Sequence, residues 1–405
     1  MTITTRPEDV GLCPKRLERV GGWMRAYVDD GKLPCALTLV ARHGEIAFLD
    51  CCGLRDVEAG TAVAEDTIFR FYSMTKPVTA VAVMMLYEQG LFQLDDPVSA
   101  FIPELGGLNV YVSGDTGAMA TEPVDEEITI RHLLTHTSGL TYGFLDPSPV
   151  GEHYRTNALD FGPNRRTLAE AVAELSKAPL THQPGARWTY SVSFDVLGRL
   201  AEVISGQGLD RYFEDNIFSP LGMADTGFHV PADKHDRFAS LYEPGPDGGI
   251  VLNDAAGESS YLKPPRLCSG GGGLVSTAGD YLKFTDMLRR KGAFDGGRLL
   301  GRKTVELMTA NHLPGDMAAM GQPRFGESTF EGIGFGFGVS VTLDPARAQI
   351  LGTPGEYAWG GAASTAFWTD PGEDMTVIFL TQLMPSDAYP LRRELRVLTY
   401  QALVD

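Results

Sequence analysis

The sequence predicts an α/β chain of the α+β type, one antiparallel sheet flanked by helices with a mainly helical domain inserted into it. Three observations lead there. Strand-like segments gather towards both ends of the 405 residues, helical periods fill the middle, and at roughly 100–200 residues per domain the length suits two or three units. The division this implies is a sheet domain of residues 1–70 and 285–405 and a mainly helical domain of residues 71–284, with the active cleft between them.

Taken in chain order, residues 36–43 and 46–50 are short apolar strands joined by a tight turn at Gly44-Glu45, a hairpin signal. Helical periods follow at residues 167–177 and 194–204. Residues 244–257 and 314–331 are rich in Gly and Pro and are expected to be loops that wall the cleft. Residues 336–343, 364–370 and 375–382 return to strand character, with Pro371-Gly372 as the turn between the last two. An amphipathic helix over residues 390–404 closes the chain.

Composition removes several classes of function. With 43% apolar, 21% charged and 9% aromatic residues the chain is neither disordered, collagen-like nor a coiled coil. Lys and Arg number 34 against 52 Asp and Glu, and a net charge of −18 repels phosphate backbones and anionic lipid, so no nucleic acid partner is expected. The most apolar run, residues 78–87, stops at Glu88 and is too short for the ~20 residues a membrane helix needs. The first ten residues lack a basic start followed by an apolar stretch, which points to the cytoplasm. Cys13, Cys35, Cys51, Cys52 and Cys268 are odd in number and lack Cys-x-x-Cys spacing, so they are expected to be reduced thiols.

Gly-x-Ser-x-Gly, His-Glu-x-x-His and the phosphate-loop pattern are all absent, and no cofactor or metal is implied. Ser-x-x-Lys occurs twice, at Ser73-Met74-Thr75-Lys76 and Ser260-Tyr261-Leu262-Lys263. Context separates them. Ser73 opens an apolar helix that runs to Gly90 and has Lys76 on its own face, whereas Ser260 runs into Pro264-Pro265. A helix start offers free N–H groups to an oxyanion, and an adjacent ammonium favours proton removal from a hydroxyl. Alone, Ser73 is equally a helix cap.

Two further features join it. Tyr190-Ser191-Val192 follows an expected loop and opens the helix at Phe194, where a phenol can face the cleft. Trp359-Gly360-Gly361 precedes the strand expected from Ser364, and two small residues let a substrate lie against edge-strand backbone. In isolation the first is an ordinary core tyrosine and the second a turn.

In order and spacing these pieces resemble the serine β-lactamase and penicillin-binding-protein superfamily, most closely its esterase branch, the family VIII carboxylesterases related to class C β-lactamases. Residues 69–77, 130–140, 190–198, 221–223 and 269–277 also look like that family. The resemblance implies a β-lactamase/transpeptidase-like fold, with Ser73 as nucleophile, Lys76 as its activating cation and Tyr190 as general base. It also implies an oxyanion hole from the backbone N–H groups of Ser73 and Ala362. The chemistry agrees: a phenol is a poor base at its free pKa of about 10, and a neighbouring ammonium stabilises the phenolate.

Departures from the β-lactamase pattern narrow the substrate. Tyr-x-Asn is Tyr190-Ser191-Val192 here and Lys-Thr-Gly is Trp359-Gly360-Gly361, so an amide and a cation are missing. Trp359, Gly360, Gly361, Val192, Tyr142 and Phe144 are therefore expected to line a pocket for uncharged esters. His132 and His136 lie at i, i+4 but fall in a family segment with no metal role, Asp125-Glu126-Glu127 is a solvated helix start, and Gly270 to Gly273 is a tight backbone passage. The function expected is a cofactor-free serine esterase that cleaves short-acyl esters, with a small-molecule ester as its partner. The alternatives are a β-lactamase, D-amino-acid peptidase or acyltransferase of the same superfamily, or a binding protein on an inactivated scaffold.

Overall fold

The computed structural model describes residues 2–162, 166–246, 248–325 and 328–405. Its centre is a sheet of eight antiparallel strands, in the spatial order Ile333–Phe335, Ser340–Thr342, Tyr357–Gly360, Ala366–Asp370, Met375–Leu380, Cys35–Arg42, Glu45–Asp56 and Thr61–Ala62. The two ends of the chain meet in mid-sheet, where Leu37 pairs with Leu380 and Arg42 with Met375. Cys35–Arg42 is buried along its whole length and mostly apolar because both its faces are covered. Leu37, Leu39 and Ala41 point into the large core, and Ala36 and Val40 into a smaller one on the other side. His43 and Gly44 both have positive φ, 56° and 84°, so the tight turn sits one residue earlier than expected and matches the twist of its strands.

On the smaller-core side lie the helices Pro14–Asp29 and Leu391–Tyr400. Leu17, Val20, Met24, Leu391 and Leu395 are fully buried against Val377, Phe379 and Trp368. Each such aliphatic side chain contributes roughly 1.5–3 kcal/mol. Trp23 Nε1 and Tyr27 Oη both donate to Glu394, at 2.7 and 2.9 Å, which fixes the rotation of one helix against the other. The opposite face receives Ala278–Arg289, whose Tyr281 lies 5.2 Å from the Phe367 ring. That helix crosses the expected domain boundary at 284/285, because its apolar face belongs to the sheet. The large core runs without interruption from the sheet into the middle helices.

Three expectations about elements change. Residues 336–343 are not one strand: Gly338, at φ 79°, turns the chain between Ile333–Phe335 and Ser340–Thr342. Residues 244–257 include a strand, Ile250–Asp254, which pairs with Leu241–Pro244. Within 314–331, Arg324 pairs with Thr329 and Phe325 with Ser328. Residue 247 and residues 326–327 of those two segments lie outside the described residues. Among the described residues no helix is long and apolar enough to cross a membrane.

Candidate active site

Ser73 stands in a single 3-10 turn, Tyr72–Met74, directly ahead of the buried helix Thr75–Glu88. It does not cap that helix, whose N-cap position is Met74 with no side-chain hydrogen bond. Tyr72 has φ 43°, a left-handed conformation that costs an L residue roughly 1–2 kcal/mol and bends the chain sharply before Ser73. Surrounding hydrogen bonds hold this bend in place. Thr75 Oγ1 accepts from the Leu274 N–H at 3.1 Å, Thr79 Oγ1 donates to the Gly270 carbonyl at 2.6 Å, and Tyr281 Oη donates to the Met74 carbonyl at 2.9 Å.

The helix brings Lys76 under Ser73, fully buried, with every ammonium proton directed: to Ser73 Oγ at 3.2 Å, Tyr142 Oη at 3.1 Å and the Gly271 carbonyl at 2.8 Å. Tyr190 comes from the loop ahead of helix Ser193–Ser205, and its Oη lies 2.6 Å from Ser73 Oγ. Lys76 Nζ also sits 4.5 Å from the centroid of the Tyr190 ring, within cation–π range. Ser73, Lys76 and Tyr190, up to 117 positions apart in sequence, are thus in mutual contact.

Aromatic rings set the orientation of Tyr190. Trp188 stacks on it nearly parallel at 6.1 Å, while Tyr142, Trp359 and His136 pack against it at 5.2, 5.5 and 5.0 Å. His136 is fully buried, its Nδ1 lies 3.0 Å from Ser191 Oγ, and burial with the nearby Lys76 charge holds it well below the usual imidazole range, so the ring is neutral. His132 faces elsewhere: its Nδ1 accepts from the Thr129 N–H in a capping box at the start of Ile130–Leu134. Among the described residues no group of three His, Cys, Asp or Glu side chains could hold a metal.

Trp359 and Gly360 end the strand Tyr357–Gly360, an interior strand whose last two residues run past its shorter neighbour. The need for glycine at 361 comes first from the protein itself. A Cβ there would strike the Phe71 carbonyl and Thr365 Oγ1, so only glycine lets this turn lie against the segment that leads into Ser73. Arg392 ties the turn from behind, donating to the carbonyls of Gly361 and Thr365 at 3.1 and 3.2 Å. Ala362 follows in the same turn, and its N–H has no backbone acceptor among the described residues.

The expected pocket residues differ widely in exposure. Val192 has no exposed surface: its N–H bonds to the Thr141 carbonyl and its side chain is sealed in the core. Tyr142 is 6% exposed, and its hydroxyl is committed to Lys76. Phe144 lies outermost, 64% exposed, with its ring 4.9 Å from that of Tyr142. The second Ser-x-x-Lys, Ser260 to Lys263, is on the surface, with Ser260 and Lys263 both exposed.

Sequence reasoning missed Asp195. This carboxylate, in the first turn of Ser193–Ser205, is fully buried. Oδ1 accepts from Ser269 Oγ at 2.5 Å and from the Gly271 N–H at 3.1 Å, while Oδ2 has no hydrogen-bond partner. Burial pushes its carboxyl up to about 6, against the opposing pull of Ser269, Lys76 and the Gly271 N–H. The glycine run 270–273 is needed for close passage: a Cβ on Gly270 would meet the Phe194 carbonyl at 2.5 Å, and one on Gly271 would meet Asp195 Oδ2 at 2.5 Å and Tyr142 Oη at 3.0 Å. The missed signal was the pairing of an acidic residue in a helix's first turn with a distant glycine run.

A family model described as Beta-lactamase matches residues 20–401. Protein Rv1367c of Mycobacterium tuberculosis is 37% identical over 365 residues, 89% of each chain. Esterase EstB of Burkholderia gladioli is 34% identical over 366 residues, 86% of each chain. Among solved structures, EstCE1, described as a hydrolase with promiscuous acyltransferase activity, is similar at a TM-score of 0.80 and 28% identity. That match covers 95% of this chain and 99% of its own.

Proposed function

The chain belongs to the beta-lactamase family, and from that premise we propose a serine esterase that cleaves small carboxylic esters through an acyl-enzyme on Ser73. The observation that carries the reading is the simultaneous approach of Tyr190 Oη and Lys76 Nζ to Ser73 Oγ, at 2.6 and 3.2 Å. In the first step Ser73 Oγ attacks the ester carbonyl carbon as Tyr190 Oη, acting as general base beside the Lys76 ammonium, takes its proton. The N–H groups of Ser73 and Ala362 receive the oxyanion, and the departing alcohol takes its proton from Tyr190. Water then repeats the sequence on the acyl-enzyme and releases the acid.

Acyl transfer is the second reading. Tyr142, Tyr190, Trp359 and exposed Phe144 give the Ser73 side of the molecule an aromatic rim on which an acceptor alcohol can compete with water, and the likeness to EstCE1 supports it. Trp359 in place of a cation favours uncharged acyl and alcohol groups, which supports a reading of the chain as a family VIII carboxylesterase. A cytoplasmic location suits the five free thiols, of which Cys35 is fully buried and its ionisation suppressed.

The test is a panel of p-nitrophenyl esters of increasing acyl length beside a chromogenic cephalosporin and a D-alanyl amide, with fluorophosphonate labelling mapped by mass spectrometry. Label on Ser73 and ester kcat/KM at least about tenfold above the cephalosporin support the reading, since each unmatched polar group of a β-lactam loses roughly 1–3 kcal/mol. Equal turnover of both substrates overturns the esterase, and label on another residue overturns Ser73.

A further inference from the structure

We propose that Asp195 is a positioning residue for the Ser73 chemistry: its buried carboxylate is the counter-charge of the Lys76 ammonium, delivered through the backbone of Gly271. The proposal rests on the reading of Ser73, Lys76 and Tyr190 given above. Lys76 and Asp195 are both fully buried, and the two charges share one residue as their bridge. The Gly271 N–H donates to Asp195 Oδ1 at 3.1 Å, and the Gly271 carbonyl accepts from Lys76 Nζ at 2.8 Å. An anion at the N–H end polarises this short chain of hydrogen bonds so that the carbonyl holds the ammonium more firmly. A side chain at 271 would break the bridge by striking Asp195, which accounts for the glycine.

The groups that face this pair single out Asp195 as the compensating anion. Thr75–Glu88 contributes Lys76 itself and Thr79, which bonds to Gly270. The segment after Ile130–Leu134 contributes neutral His136 and Tyr142, whose phenol is held well above its usual range by burial, with Asp195, Tyr190 and Asp160 adding to it. Asp160 is half-buried and bonds to the Gly143 N–H, away from Lys76. The loop before Ser193–Ser205 contributes Tyr190, and the glycine segment contributes Ser269. Leu168 and Leu209, from the helices Leu168–Leu175 and Leu209–Phe213, pack on Gly198 and bring no charge. Asp195 is itself in the first turn of its helix, where the N-terminal dipole favours the ionised form.

This arrangement separates two jobs that one contact would confuse. A carboxylate touching Lys76 directly would take a proton that now points to Ser73 or Tyr142. Placed one peptide away, Asp195 leaves all three donors committed to the site while it compensates their charge. Ser269 Oγ, donating to Oδ1 at 2.5 Å, keeps the carboxylate ionised and fixed.

The experiment is the pH profile of kcat/KM for a p-nitrophenyl ester in the wild type, Asp195→Asn and Ser269→Ala, each with fluorophosphonate labelling of Ser73 and a melting curve. Asp195→Asn removes the charge at nearly constant shape, so the alkaline limb moves down by on the order of one pH unit as the ammonium loses its support. Ser269→Ala weakens the hold on the ionised carboxyl, so the acid limb moves up. A lower rate at every pH with both limbs in their wild-type positions is what a merely structural Asp195 produces, and it overturns the proposal. Should Asp195→Asn fail to fold, the acid limb of Ser269→Ala decides alone. Loss of Ser73 labelling in the wild type itself would instead strike the reading of the site on which this rests.

Discussion

Two of the clusters of buried charge among the described residues are built in opposite ways. Behind the sheet, Glu356 is fully buried and takes Arg396 Nη1 at 2.6 Å, Tyr400 Oη at 2.6 Å and Thr342 Oγ1 at 3.3 Å, while Tyr400 also lies 2.7 Å from Asp370 Oδ2. Arg396 covers the Trp368 ring at 4.7 Å, and among the described residues Glu356, Arg396, Tyr400, Thr342 and Asp370 have no buried polar atom without a partner, Trp368 Nε1 being the one such atom beside them. Around Ser73 the charges of Lys76 and Asp195 do not touch, and Asp195 Oδ2 and His136 Nε2 are buried without partners. The first cluster is closed by contact and locks the last helix to the sheet. The second holds its charges apart and its donors aimed at one hydroxyl, so part of its hydrogen-bonding capacity is left unused for the sake of the chemistry.

The sharpest way to probe that contrast is at its centre. Ser73→Ala is expected to lower ester turnover by at least about 10⁴ and abolish fluorophosphonate labelling, whereas Ser260→Ala, on the surface, leaves both near wild type. Label retained by the Ser73 variant would mean another nucleophile. Tyr190→Phe keeps the stacked ring and removes the proton acceptor. Its kcat/KM is expected to fall by about 10²–10⁴ with little change in melting temperature. A fall below about threefold would leave Lys76 alone to activate Ser73.

The closed cluster responds in stability instead. Glu356→Gln strands the Arg396 charge in the interior and is expected to cost roughly 3–5 kcal/mol in a urea titration, with kcat per folded molecule unchanged. A loss under about 1 kcal/mol would show that the cluster is hydrated and not closed. Asp195→Asn gives the smallest effect, and one of opposite sign. A carboxyl raised to about 6 binds its proton more tightly in the folded chain than in the unfolded one. Its stabilising contribution is therefore full below about pH 4 and is lost as pH rises through about 6. At pH 8 the variant escapes that loss and is expected to be more stable than the wild type by up to about 3 kcal/mol, with no advantage at pH 4. Equal melting curves at both pH values would refute the burial cost.

The contrast also explains what the sequence made legible. Ser73 and Lys76 are three residues apart on a helix start, a local relation that spacing reveals, and the resemblance adds Tyr190. Tyr142 was expected in the pocket wall, and its bond to Lys76 was not legible, because a buried ammonium needs three acceptors and nothing local shows which distant phenol supplies one. Val192 was expected to face substrate, yet its position at the entry to a buried helix turns it into the core. Among the elements, long apolar strands such as Cys35–Arg42 were readable and short ones such as Ile333–Phe335 and Tyr357–Gly360 were not, since three or four residues carry too little alternation. The helix Pro14–Asp29 went unrecognised because its apolar stripe of Leu17, Val20 and Met24 is narrow among charged neighbours.

The pairing of Cys35–Arg42 with Met375–Leu380 carries a consequence for how the chain is made. The first of these strands is finished more than three hundred residues before its partner. At roughly 5–20 residues per second the interval between them is on the order of tens of seconds. Throughout it the strand has one open edge and two apolar faces with no far side to the sheet, the condition in which nascent chains pair wrongly with each other. The fold thus places its slowest contact at its structural centre, and yield in the cell is set by how well that waiting edge is shielded until the last strand arrives.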